Sequence, residues 1–327
     1  YTKEAQREIW NDYKTIFHDL LPGIVNTYDP GRFYWPSSPG IGWGHEEALY
    51  SGDMHYWGVW WGKEPFSMYE KKVGRFMSEY GFQGYPPLET VKDFTLPEDR
   101  FLGSPVMDAH QKHPFGSEAI ELYMKRNYRE PKDFDAYVYV SQLLQARGIG
   151  IALEAHRRAR PVCMGTLYWQ LNDCWPVISW SGIDYYGRWK ALHYKAKKIF
   201  EDLVILPSEK DGILEVHIAS DRQKELPATL SLHLKDFSGK ELFRHSKAVR
   251  VEPDMSGLYM ELTLDSLPAA LKREQSYMEL KLTRQNRLLA SRVHYLALPL
   301  RLDLPKPGIS TVVRKYKNGY IITLSAD

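Results

Sequence analysis

The chain has 327 residues, 43% of them hydrophobic and 26% charged, with a formal net charge of +2. That is apolar matter enough for two domains or more. A near-neutral balance without a dominant basic block argues against a nucleic-acid or membrane-surface partner, and no apolar run approaches the roughly 20 residues needed to cross a bilayer.

The chain opens on Tyr1, not Met, and passes directly into a helical pattern, so further residues are expected ahead of it. Ile9, Tyr13, Ile16, Phe17 and Leu20 recur at helical spacing and predict an amphipathic helix ended by Pro22-Gly23. Arg32-Phe33-Tyr34-Trp35 reads as a short buried strand stopped by Pro36-Ser37-Ser38-Pro39. A second strand is expected to end near Asp53-Met54-His55, and a third runs through Phe76-Met77 to Glu79. Leu143 and Leu144 belong to a long predicted helix running towards Ala159. The basic run His156-Arg157-Arg158-Ala159-Arg160 closes it, where positive charge suits the helix dipole. Met164 to Trp169 is the fourth strand, and Leu192, Ala196, Ile199, Phe200 and Leu203 mark a last amphipathic helix. Strands alternating with helices imply a parallel α/β arrangement, and four such units amount to half of an eightfold barrel.

Near Leu206-Pro207 the period changes to two. Leu214, Val216 and Ile218 alternate with polar residues, as do Leu230, Leu232 and Leu234, then Leu258, Met260, Leu262 and Leu264, then Met278, Leu280 and Leu282. Short alternating strands at this spacing predict an antiparallel, immunoglobulin-like β-sandwich. Pro299 to Pro307 reads as a linker, and Lys317-Asn318-Gly319-Tyr320 as a hairpin turn. The expected class is thus α/β plus all-β. Residues 1–205 would form half of a (β/α)8 barrel, 206–300 the sandwich, and 301–327 a linker and the start of a further, incomplete β-domain.

Glu79 stands where a strand ends before a glycine turn, which is where (β/α) barrels carry their catalytic side chains. Retaining glycoside hydrolysis needs two carboxyl groups ~5–5.5 Å apart, one a nucleophile and one an acid/base, and Glu79 suits the first role. A helix cap or an ion pair with Arg75 is the structural alternative. Trp169-Gln170-Leu171-Asn172-Asp173 leaves the last predicted strand at the same end of the sheet. There Trp169 can floor a sugar subsite or simply pack in the core, and Asn172 or Asp173 can bond hydroxyls. His55 can donate to a sugar hydroxyl or to Glu79, or serve structure alone, with Asp53 orienting it. His110, His113 and His156 lack paired metal-ligand spacing, so neither a metal nor any other cofactor is expected. Cys163 and Cys174 flank one predicted strand, which would hold them roughly 30 Å apart when extended, so both are expected as free thiols.

Three runs together resemble glycoside hydrolase family 2, and within it the β-mannosidases: Phe76-Met77-Ser78-Glu79-Tyr80-Gly81-Phe82-Gln83, Gly165-Thr166-Leu167-Tyr168-Trp169-Gln170-Leu171-Asn172-Asp173, and His55-Tyr56-Trp57-Gly58-Val59-Trp60. The resemblance implies that Glu79 is the nucleophile, with His55 and Trp169 in the sugar pocket and Trp57 nearby. It also implies exo-acting, retaining release of terminal non-reducing β-D-mannose from an oligosaccharide or glycan. The family's acid/base glutamate lies in a Trp-Asn-Gly-Asn-Asn-Glu-like motif that this sequence does not contain, and Glu46 and Glu47 stand in an unlike loop context. The expectation is therefore a C-terminal fragment without the acid/base, inactive alone and with an open barrel edge. A β-galactosidase, a β-glucuronidase or a non-catalytic carbohydrate-binding protein are the alternatives. A secreted, periplasmic or lysosomal location follows only by analogy.

Overall fold

The structure, a computed structural model, describes residues 1–268 and 271–326. Ala269, Ala270 and Asp327, which fall within the expected sandwich and terminal part, lie outside the described residues. The helices are α1 (Lys3–Lys14), α2 (Leu21–Tyr28), α3 (Met68–Lys71), α4 (Leu88–Phe94), α5 (Pro105–Ala109), α6 (Gly116–Asn127), α7 (Phe134–Arg158) and α8 (Ala191–Ile199). The strands are β1 (Met54–His55), β2 (Met77–Glu79), β3 (Leu203–Lys210), β4 (Ile213–Ser220), β5 (Leu226–Asp236), β6 (Glu241–Val251), β7 (Met255–Thr263), β8 (Ser276–Arg284), β9 (Arg287–Tyr295), β10 (Ile309–Tyr316) and β11 (Gly319–Ala326).

The opening helix does not stop at Pro22-Gly23. It continues through a π-helical stretch, Thr15–Leu20, into α2. Pro22, which has no N–H to donate, follows closely on the π-helical stretch. The strand expected over Arg32–Trp35 is also absent. Phe33 is exposed, its ring near that of Trp35, and among the described residues no neighbouring backbone pairs with the segment. A short apolar run becomes a strand only if a partner completes its ladder.

β1 and β2 pair in parallel, with His55 opposite Glu79. The run after Met164 lies on the other side of β2. Met164 N–H donates to Arg75 O (2.9 Å), Leu167 N–H to Met77 O (2.8 Å) and Trp169 N–H to Tyr80 O (2.8 Å). Its one regular bridge is Thr166 to Met77, so the predicted fourth strand is an irregular ladder. Among the described residues, three parallel segments therefore stand where four strands were expected. One core joins Met54, Met77, Tyr80 and Phe82 of this layer to Tyr123 of α6, Leu144 and Leu153 of α7, and Leu192 and Ile199 of α8. α8 ends at Ile199, and Leu203, expected in that helix, begins β3.

The second part is a sandwich of two antiparallel sheets, ordered β3-β4-β7 and β6-β5-β8-β9. Its core follows the period-two pattern, with Leu230 opposite Leu282, Leu232 opposite Leu280, and Leu234 opposite Met278. Leu258 breaks the pattern and is exposed. A bulge between β4 and β7 at Val216/His217 shifts the register by one residue, which turns the next side chain to the other face. The two parts meet at the end of α7. Arg157 donates to Asp221 at 2.8 Å, Arg160 to Asp254 at 2.7 Å, and Glu154 accepts from Arg292 of β9. The basic run thus has particular partners as well as a favourable dipole. Beyond the sandwich, Arg129 holds the carbonyl of Leu302 at 2.8 Å. β10 and β11 then form a hairpin closed by Tyr316 opposite Gly319. Both thiols are free, Cys163 buried and Cys174 exposed. No helix among the described residues is long and apolar enough to cross a membrane.

Candidate active site

Because β1 and β2 are parallel and in register at His55 and Glu79, the two side chains leave the sheet at one end and on one face. Glu79 Oε2 accepts from Trp57 Nε1–H at 3.1 Å, and His55 Nδ1 lies 3.3 Å from the same oxygen. The other carboxylate oxygen carries neither contact. The Glu79 side chain keeps 29% of its surface exposed, so the carboxylate is held in position yet open to solvent.

The other ring nitrogen of His55 lies 3.4 Å from Ser38 Oγ and 3.7 Å from Asp53 Oδ2. An imidazole between two carboxylates is fixed in orientation, with Nδ1 directed at Glu79. Asp53 itself accepts from Ser38 Oγ (2.6 Å) and Ser78 Oγ (2.5 Å). Burial alone would raise its pKa, but these hydroxyl donors, its own backbone N–H and His55 together hold it below the ordinary value of 3.8. Asp53 is therefore an ionised support and unsuited to donating a proton near neutral pH.

Trp169 is 44% exposed beside this group. Gly81 allows its approach, because a Cβ there would meet Trp169 O at 2.5 Å, Trp180 at 3.0 Å and the Trp57 ring at 3.1 Å. The Trp169–Gln170 peptide is cis. Asn172 is exposed, and its carbonyl accepts from Gln170 Nε2 at 2.7 Å. Asp173 turns the other way. It is buried, and its Oδ2 accepts from Ser179 Oγ (2.8 Å) and Ser181 Oγ (2.5 Å). Glu46 and Glu47 are exposed on a 3-10 turn, Glu46–Leu49.

Several members of this constellation carried no signal in the sequence. Ser38 and Ser78 are common residues whose meeting at Asp53 depends on tertiary structure. Behind Glu79, Tyr80 OH lies 2.6 Å from Thr166 Oγ1, which lies 2.8 Å from His156 Nδ1. Burial, with help from Arg158, pushes His156 down to about 3, so it remains a neutral hydrogen-bonding group. Helical phase alone could have placed His156 on the buried face of α7. Trp180 packs edge-on against Trp57 with ring centroids 6.4 Å apart.

Residues 212–299 match the family described as the Mannosidase Ig/CBM-like domain. The chain is 33% identical over 253 residues to β-mannosidase B of Aspergillus fumigatus, covering 70% of this chain and 30% of that protein. It is 31% identical over 264 residues to β-mannosidase B of Aspergillus terreus, covering 73% of this chain and 31% of that one. The chain thus spans less than a third of the length of these two relatives. Among solved structures it superposes on the β-D-mannosidase of Dictyoglomus thermophilum with a TM-score of 0.85 and 29% identity, over 96% of this chain and 38% of that one. An exo-chitosanase from Amycolatopsis orientalis shares the fold at a TM-score of 0.65 and 16% identity, over 80% of this chain and 36% of its own. These likenesses, with a strand-end glutamate braced by an indole and an imidazole, relate the chain to the glycoside hydrolases of family 2. Within that class it is β-mannosidase-like.

Proposed function

We propose that the chain carries the nucleophile-bearing part of a retaining exo-β-mannosidase. Glu79, held through Oε2 by Trp57 and His55, is the observation that carries this reading. The carboxylate attacks the anomeric carbon of a terminal non-reducing β-D-mannosyl unit as the glycosidic bond breaks, forming a glycosyl-enzyme. Water then resolves that intermediate with overall retention. His55 and Trp57 aim the carboxylate, Trp169 floors the sugar, and Asn172 lies at the rim. Asp173, with its carboxylate turned inward, braces the loop that presents them.

The acid/base is a separate matter. Asp53 is held ionised, and Glu46 and Glu47 lie on an exposed turn, so none of the three suits the role. In this reading the acid/base belongs to the part of the relatives that this chain does not span, and the chain alone does not turn over. Residues 1–205 are then half of a (β/α)8 barrel, 206–300 the immunoglobulin-like sandwich, and 301–327 a linker leading into a further β-domain. The superposition on the Dictyoglomus β-mannosidase supports that reading. Covalent labelling with a 2-fluoro mannosyl inhibitor tests it, on this sequence within a chain as long as its relatives. Peptide mapping should recover the label on Glu79. A label elsewhere removes Glu79 from the mechanism, and labelling only by the galactosyl or glucuronyl analogue changes the sugar.

A further inference from the structure

The face that carries Glu79 does not end at Trp57. After β1 the chain makes a helical turn in which Trp61 N–H donates to Trp57 O at 2.8 Å, so Trp61 stands one turn further along on the same side. Trp180 packs against Trp57 and, at 6.0 Å between centroids, against His113. His113 lies 4.6 Å from Trp61 and 6.0 Å from Phe115. Aromatic contacts through the buried Trp180 therefore connect the indole that holds Glu79 to a cavity of about 320 Å³ bordered by Trp61, Phe115, His113, Lys63 and Glu118.

Three features of the cavity match the chemistry of a sugar ring. Trp61 is 55% exposed and Phe115 is 62% exposed, so both offer open ring surface. Phe115 N–H donates to His113 Nδ1 at 3.2 Å, which makes that nitrogen the acceptor and puts the ring proton on Nε2 as a donor. Burial lowers the pKa of this histidine, which keeps the ring in that neutral form. Lys63 adds a cationic donor and Glu118 an acceptor. A pyranose offers an apolar C–H face to aromatic rings and a rim of hydroxyls that both donate and accept. The volume is that of a small-ligand site.

We propose that this cavity binds a second sugar unit of the glycan whose terminal unit sits at Glu79. An exo-acting reaction leaves every other unit on the leaving-group side, so the cavity lies on that side. The placement of the terminal unit at Glu79 and this direction both rest on the reading of Glu79 above, whereas the fit of the cavity to a sugar does not.

The test is saturation-transfer NMR of the chain with β-1,4-linked mannotriose, resolved ring by ring. Trp61→Ala and Phe115→Ala alter exposed positions and should leave the circular dichroism unchanged. Each should weaken binding of the trisaccharide about tenfold, the size of one lost aromatic contact, and remove transfer to the inner rings. Transfer to the terminal ring should survive in both and be lost in His55→Ala. Equal binding by the wild type and both variants overturns the cavity proposal and leaves the reading of Glu79 standing. Transfer to inner rings that needs Trp61, with none to the terminal ring, overturns the reading of Glu79 and keeps the cavity as a glycan site. Transfer to no ring overturns the cavity proposal.

Discussion

Glu154 joins three elements through one carboxylate. It sits in α7 with its side chain 10% exposed, and Oε1 accepts from Lys195 of α8 at 2.8 Å and from Arg292 of β9. Burial would raise its pKa, yet the charges of Lys195 and Arg292 hold it below the ordinary 4.5. Glu154→Gln keeps the shape and removes the charge, so both cations face a neutral amide in a partly desolvated site. Breaking one partner of a buried pair costs roughly 3–5 kcal/mol when both are deeply buried. Lys195 is 25% exposed and Arg292 is 23% exposed, so water relieves part of that penalty. A loss of about 2–3 kcal/mol is expected. Urea unfolding measures it with two probes. All ten tryptophans precede Lys190, so their fluorescence reports the α/β part, while far-ultraviolet circular dichroism reports both parts. Adding Arg292→Met to Glu154→Gln removes one stranded cation and should recover about 1 kcal/mol. A Glu154→Gln protein within about 0.5 kcal/mol of wild type refutes the reasoning.

Two further perturbations probe the site. Gly81→Ala puts a Cβ 2.5 Å from Trp169 O, so the Trp169 turn must move. It should cost about 1–3 kcal/mol and alter the near-ultraviolet circular dichroism, and an unchanged spectrum counts against the close approach. Ser78→Ala removes one hydroxyl donor from Asp53, whose pKa should rise towards 3.8. A depressed carboxylate contributes stability that is present above its unfolded pKa and lost as pH falls through the lower folded value. The variant should therefore be less stable than wild type above about pH 4, and the difference should vanish as pH falls further. Carbon-detected NMR titration of the carboxyl reads the shift, and no change there contradicts the assignment.

The sandwich was legible because its signal is local and repeated. Leu230, Leu232 and Leu234 need only alternate to declare an inward face, and Leu280 and Leu282 repeat the pattern on the partner strand. Leu258 escaped that reading because a bulge on β7 is set by pairing with β4, which the β7 sequence does not display. Arg32–Trp35 escaped it for the opposite reason, having the composition of a strand without a neighbour to pair with. The meeting of Glu79 with His55 and Trp57 could be anticipated, since strand ends of one parallel layer fall together. The Ser38–Asp53–Ser78 contacts and the Tyr80–Thr166–His156 chain could not, because they join residues up to 86 positions apart through small polar groups with many other uses.

The central claim is that Glu79 is a nucleophile. Chemical rescue of Glu79→Ala by azide tests it most directly, with an aryl β-mannoside whose leaving group needs no proton and a chain as long as the relatives. The account predicts that azide restores leaving-group release and that the product is the α-mannosyl azide, formed by attack in the space the carboxylate vacated. A β-mannosyl azide, or turnover that survives the substitution without azide, would contradict it.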